Sequence, residues 1–199
     1  MVKKMKYNEQ ALQFWTQNEK VMHIIPPSST SDFPEGWDVQ TFLKNIIGDE
    51  SVVEVGCGYG RLVDKFDPLQ YKGVDINPSA VAMAQERHPE YQFDVYTLGD
   101  NLPTSDWLLL YTVLLHVSND DIAAFLAQIT SNCSKVIISE IMYQSPGKPP
   151  RPGKPPVWNR TEETYVSLLG AIGFQLTSSV KNSWRDVENR ITTLTFEKK

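Results

Sequence analysis

The chain has 199 residues, 41% of them hydrophobic and 22% charged, which fits one globular domain with its own core and excludes general disorder. A formal net charge of -5 repels a phosphate backbone at long range, so nucleic acid is disfavoured as a partner. Cys57 and Cys133 stand far apart, and neither a signal peptide nor an apolar run of bilayer length is present, so the expectation is a cytoplasmic setting with free thiols and no membrane contact.

Residues 8–22 read as a helix: Asn8 can cap it, and Leu12, Phe14, Trp15 and Val21 give a broad apolar face. The run Pro26 to Ser31 breaks it. Asp38 caps a second helix over 39–47, which Gly48 ends, and a strand follows at 51–55. The stretch Val52 to Leu62 then places glycines at 56, 58 and 60, where backbone can turn tightly and lie against a ligand. A short helix is expected over 61–66, stopped by Asp67-Pro68. Residues 71–76 read as a second strand, and Asn77-Pro78 starts a helix through Arg87, with asparagine as cap and proline in the first turn.

Strands are expected at 91–95 and 106–111, the second so continuously apolar that it suits a central strand covered on both faces. Ser118 followed by Asp121 reads as a capping box for a helix to about Thr130, and 135–139 as strand five. A proline-rich insertion over 146–156 cannot join a helix or an inner strand. A helix from Glu162 to Ile172 and strands over 174–180 and 190–197, joined by a turn near 181–188, complete the chain. The expected architecture is α/β: a Rossmann-like three-layer sandwich around a seven-stranded, mostly parallel sheet whose last strand is antiparallel. It forms one domain over 1–199, with an N-terminal helix and loop over 1–36 and an insertion over 144–160.

The glycine spacing discriminates among nucleotide sites. The dinucleotide fingerprint wants its third glycine where Arg61 stands, and the phosphate-cradling P-loop pattern has no match. What remains is Glu54-x-Gly56-x-Gly58-x-Gly60, which resembles motif I of the class I S-adenosylmethionine-dependent methyltransferases, and the later features resemble that family in order. The resemblance implies a methyltransferase using S-adenosylmethionine, with Glu54, Gly56, Cys57, Gly58 and Gly60 forming the cofactor loop and no metal ligands. Cys57 reads as a small residue tolerated in that loop rather than a reactive thiol.

Asp75 stands 19 residues after Gly56, near the offset at which an acid reaches a ribose in βαβ nucleotide sites. Asp94 resembles the family's adenine-contacting acid, with Val95 beside it and Ile76 on the opposite wall; Asp100, in Gly-Asp-Asn-Leu-Pro, is its rival. The stretch Asp106 to Val117 resembles the family's fourth motif and puts Tyr111 and Thr112 near the transferred methyl group. His116 reads either as a general base for an acceptor hydroxyl or as a structural residue, the latter preferred; Glu140 and Tyr143 are further candidates for proton removal.

In polyproline II geometry Lys148, Arg151 and Lys154 share one edge, with Trp158 behind them. That pattern reads as an anion clamp, a dock for a partner's aromatic groove, or a solvated loop. The acceptor is expected to be a small molecule, glycan or metabolite, anionic if the clamp reading holds, methylated at oxygen or nitrogen by a monomer or homodimer. The alternatives are a cofactor-binding partner or regulatory subunit without catalysis, and a nucleic-acid methyltransferase. The N-terminal helix reads either as a lid over the site or as a helix packed on the surface.

Overall fold

The structure, a computed structural model, describes residues 8–142, 155–185 and 187–199. Tyr143, Lys148, Arg151 and Lys154 lie outside the described residues.

Seven strands form one sheet: β1 (Val52–Val55), β2 (Tyr71–Asp75), β3 (Gln92–Val95), β4 (Ser105–Tyr111), β5 (Cys133–Glu140), β6 (Phe174–Trp184) and β7 (Val187–Lys198). Their order is β3-β2-β1-β4-β5-β7-β6, and only β7 runs against its neighbours. In register, Val55 of β1 lies between Val74 of β2 and Leu110 of β4, so these three strands end side by side and the loops after them share one edge.

Alternation along the central strands divides the core. Val53, Val55, Leu108, Leu110, Val136 and Ile138 face one layer, where Phe125, Leu126 and Ile129 of α6 (Ile122–Ile129) and Tyr165 and Leu169 of α7 (Glu162–Gly170) cover them. Val52, Leu109, Tyr111 and Ile137 face the other, under Val39, Leu43 and Ile47 of α4 (Val39–Ile47) and Val81 and Ala84 of α5 (Pro78–Arg87). Burial on both faces is why β4 is apolar at every position from Trp107 to Tyr111. Local chemistry sets the helix starts: Asp38 accepts from the amides of Gln40 and Thr41, and Asn77 from those of Ser79 and Ala80.

Four elements differ from the sequence expectation. The first helix, α1 (Glu9–Gln17), stops early because Asn18 turns extended and its side chain accepts from the Lys20 amide; a short α2 (Val21–Ile24) follows. Ser28–Ser31, expected to be a break, forms one helical turn, α3. The helix expected over 61–66 is a 3-10 turn at Val63–Lys65: positive φ through Gly60 keeps the chain off the helical path, and Asp67-Pro68 leaves room for one turn. Strands β6 and β7 run on through the expected 181–188 turn as far as the Trp184–Val187 pair.

The tip of that hairpin reaches the N-terminal segment. Arg185 donates to the Asp32 carboxylate at 2.8 Å and to the Ser28 hydroxyl at 2.6 Å, and the Trp184 indole donates to the Ser28 carbonyl at 3.3 Å. At the other end of this segment, the Asn77 amide donates to the Asn18 carbonyl at 3.0 Å. Residues 8–32 are thereby tied across the edge where β1, β2 and β4 end.

Candidate active site

The glycine loop leaves β1 with φ of 77°, 58° and 79° at Gly56, Gly58 and Gly60. Gly56 needs both its conformation and its lack of a side chain, since a Cβ there would come within 2.4 Å of Val113 Cγ2. The loop is pinned from β2. Asp75 Oδ2 accepts from the Gly58 amide at 2.8 Å and Oδ1 from the Asn77 amide at 2.9 Å. The carboxylate is buried and its pKa is raised by that burial, against the lowering effect of the amides.

A cavity of about 300 Å³ opens outside these strand ends. Its floor is Val55, Gly56, Val74, Asp75 and Ile76. Tyr96 and Leu98 wall it beyond β3, and Ser118, Asp121 and Phe125 wall it at the start of α6. The crevice at the carboxyl ends of a parallel sheet is where such folds bind ligands.

Arg61 also lines the cavity. Its guanidinium donates to Thr112 Oγ1 at 2.9 Å and to the Tyr111 carbonyl at 3.3 Å, and lies 5.0 Å from the Tyr111 ring centre. Thr112 has φ of 55°, an uncommon conformation for a β-branched residue, and Arg61 holds it by side chain and preceding carbonyl together.

A 3-10 turn, Leu114–His116, follows and carries His116 into the cavity wall. The turn is held from both sides. Glu140 Oε1 accepts from the Leu114 amide at 2.7 Å, while Arg160 donates to the carbonyls of Leu114 and Val117 at 2.8 and 2.6 Å. Burial raises the Glu140 carboxyl to about 8. His116 Nδ1 lies 3.3 Å from the Pro156 carbonyl, an acceptor only, so the proton sits on Nδ1 and Nε2 keeps its lone pair. Burial lowers the imidazole to about 4. Trp15 of α1 packs on His116 with ring centres 4.6 Å apart, and Ala11 and Leu12 of α1 with its N-cap Asn8 also line the cavity.

Comparison with known proteins gives a profile match over part of the chain and a shared fold over nearly all of it. Residues 53–135 match the sequence profile described as a methyltransferase domain. The fold of the chain is that of the class I methyltransferases. Its architecture is shared with magnesium protoporphyrin IX methyltransferase from Synechocystis PCC 6803, crystallised with bound SAH, at TM-score 0.67 and 18% identity over 90% of this chain and 86% of that one. It is also shared with 1,6-didemethyltoxoflavin-N1-methyltransferase from Burkholderia thailandensis, crystallised with bound 1,6-didemethyltoxoflavin and S-adenosylhomocysteine, at TM-score 0.64 and 20% identity over 92% of this chain and 80% of that one. Methionine S-methyltransferase from Wollastonia biflora is 32% identical over 138 residues, which are 57% of this chain but 12% of that protein.

Within this fold, the structure gathers Gly56, Asp75, Ile76, Thr112 and His116 around one cavity. Other expected site residues lie elsewhere. Asp94 is turned out to solvent and pairs with Lys72 at 2.6 Å, and Val95 is half exposed; neither lines the cavity. β3 is the edge strand of the sheet, and alternation along it sends Phe93 inward and Asp94 out.

Tyr111 and Cys57 are buried in the opposite layer of the core, and burial pushes both groups up in pKa. Glu54 is buried with its carboxylate accepting from the Tyr71 hydroxyl, its pKa raised by burial to about 7. Gly58 and Gly60 shape the loop without lining the cavity; their missing side chains leave room for Ile25 and for His88 with Phe93. Glu140 holds the 3-10 turn instead of facing the cavity, and Trp158 donates its backbone amide to the Leu115 carbonyl at 2.8 Å beneath that turn.

Sequence reasoning passed over Arg61, which entered only as a break in the dinucleotide fingerprint, and Asp121, which entered only as a helix cap. For Arg61 the signal was available: a cation where a glycine would complete the motif has to find a counter-group near the loop.

Proposed function

We propose that the cavity holds S-adenosylmethionine and that the chain transfers its methyl group to a nitrogen or oxygen of a small, largely apolar acceptor. One observation carries this reading: Asp75 stands at the cavity floor with each oxygen held by one backbone amide. A carboxylate can accept about four hydrogen bonds. Asp75 therefore has acceptor capacity left for a ribose hydroxyl, in an orientation fixed before any ligand arrives. The family profile over 53–135 and the ligands of the structural relatives support the same cofactor.

When bound, the cofactor supplies an electrophilic methyl group on a sulfonium. The chain's task is to place it and to exclude water. Arg61 is the one Lys or Arg side chain among the described cavity-lining residues, which suits the carboxylate of the cofactor's amino acid. The side of the cavity formed by α1, the 3-10 turn and the β6–β7 hairpin offers Leu12, Trp15, Leu115, Ile141, Trp184 and Ile191, and this wall suits a flat or aliphatic acceptor.

His116, neutral at pH 7, keeps an acceptor lone pair but is a weak base. The acceptor is therefore one that gives up its proton readily, such as an acidic hydroxyl, or an amine that is nucleophilic as it stands. Lys148, Arg151 and Lys154, on which an anionic or glycan acceptor depends, lie outside the described residues.

The test is release of S-adenosylhomocysteine from S-adenosylmethionine with a panel of small phenols, enols and aromatic amines. Turnover of members of the panel is expected. Tight cofactor binding with no turnover on any of them would favour the regulatory-subunit reading instead.

A further inference from the structure

Ser118 and Asp121 were expected to make a capping box, and they do not. Asp121 stands at the N-cap position of α6, yet its carboxylate accepts from no helix amide. It is instead held by the Ser118 hydroxyl, which donates to Oδ2 at 2.5 Å. The bond leaves Oδ1 without a partner among the described residues. Asp121 is only 5% exposed and lines the cavity. An aspartate released from capping, oriented by a neighbour and lining a ligand cavity has acceptor capacity to offer a donor on the ligand.

We propose that Asp121 accepts a hydrogen bond from the exocyclic amine of the cofactor's adenine. The inference rests on the cofactor reading above. Asp75 fixes the ribose at the end of β2, and the cavity continues from there past Ile76 between Tyr96 and Leu98 on one side and Val117 and Phe125 on the other. Those apolar walls suit the faces of a purine, and Asp121 is the carboxylate at that end. The rivals are occupied or remote: Asp94 pairs with Lys72 outside the cavity, and Asp100 is exposed on a turn whose carbonyl accepts from Tyr96 and Gln128.

The experiment compares calorimetric affinities for S-adenosylhomocysteine and S-inosylhomocysteine, in which a carbonyl replaces the amine. The intact protein should prefer the adenosyl ligand by about tenfold or more. Asp121→Asn, which can donate to the carbonyl, should bring the two affinities within about twofold of each other. Asp94→Asn and Asp100→Asn should keep the preference. If Asp121→Asn does not fold, Asp121→Glu takes its place, moving the carboxylate by one methylene and lowering the preference. Full preference retained at position 121, or its loss at 94 or 100, overturns the assignment. An intact protein that binds the adenosyl ligand without preference overturns this inference alone, and one that binds neither ligand overturns the cofactor reading with it.

Discussion

Glu140 and Arg160 grip opposite sides of one 3-10 turn: the carboxylate accepts from the amide of Leu114, and the guanidinium donates to the carbonyls of Leu114 and Val117. Both side chains are buried, and neither reaches the cavity lining. Their hydrogen bonds serve to fix the segment that presents His116. A short turn has few hydrogen bonds of its own, so an outside grip is what makes its position definite.

This grip makes stability pH-dependent. An acid whose folded pKa is raised holds its proton more tightly in the folded state. The resulting stability is complete below the unfolded value near ~4.3 and is lost as pH climbs through the folded value, here about 8 for Glu140 and about 7 for Glu54. His116, lowered to about 4, contributes in the opposite sense, and that contribution is complete above about pH 6.5. Between pH 6.5 and 8.5 the unfolding free energy should therefore fall, by at most about 1.4 kcal/mol per pH unit for each acid, and the melting temperature with it. Glu140→Gln keeps an acceptor for Leu114 without the titration and should flatten the slope. Equal slopes in the two proteins would contradict the burial of a titrating Glu140.

The state of His116 can be read directly. Its ring proton resonances should titrate with a midpoint near 4, well below the ~6.5 of a free imidazole. A midpoint between 6 and 7 would mean that the ring is solvated, and it would restore the histidine as a base at neutral pH.

Gly56→Ala should cost about 1–3 kcal/mol in chemical denaturation, because the new methyl group meets Val113 Cγ2 at 2.4 Å on a residue with φ of 77°. It should also weaken ligand binding, since Val113 lines the cavity. Gly48→Ala is the control. It shares positive φ, at 66°, with nothing within 4 Å of the added carbon, so its cost should be the conformational ~1–3 kcal/mol with ligand affinity unchanged. Equal ligand affinities in the intact protein and Gly56→Ala would separate the glycine loop from the site.

Trp15→Ala removes the ring packed on His116 from α1. It should raise the acceptor KM about tenfold with a smaller effect on S-adenosylhomocysteine affinity, as expected for a contact on the acceptor side of the cavity. An unchanged KM would return α1 to the role of a helix packed on the surface.

The sheet was legible because its signals are local. Continuous apolarity marked β4, glycines at alternate positions marked the turn after β1, and Asn77-Pro78 marked the start of α5. The site was legible where a backbone need fixes a residue, as at Gly56 and Asp75. It was not legible where direction decides. Asp94 and Asp121 are both aspartates beside an element end, and only the fold turns one toward solvent and the other into the cavity. The same holds for Glu140, whose position after strand five suggested chemistry and whose partner, Leu114, lies 26 residues earlier in the chain.

The most direct test is calorimetric titration of S-adenosylhomocysteine into the intact protein and into Asp75→Ala. One-to-one binding by the intact protein, weakened at least about tenfold in the variant, is the predicted result, with a stability loss of about 1–3 kcal/mol because two buried amides lose their acceptor. No binding by the intact protein, or equal binding by both, would contradict the assignment of this cavity as a cofactor site.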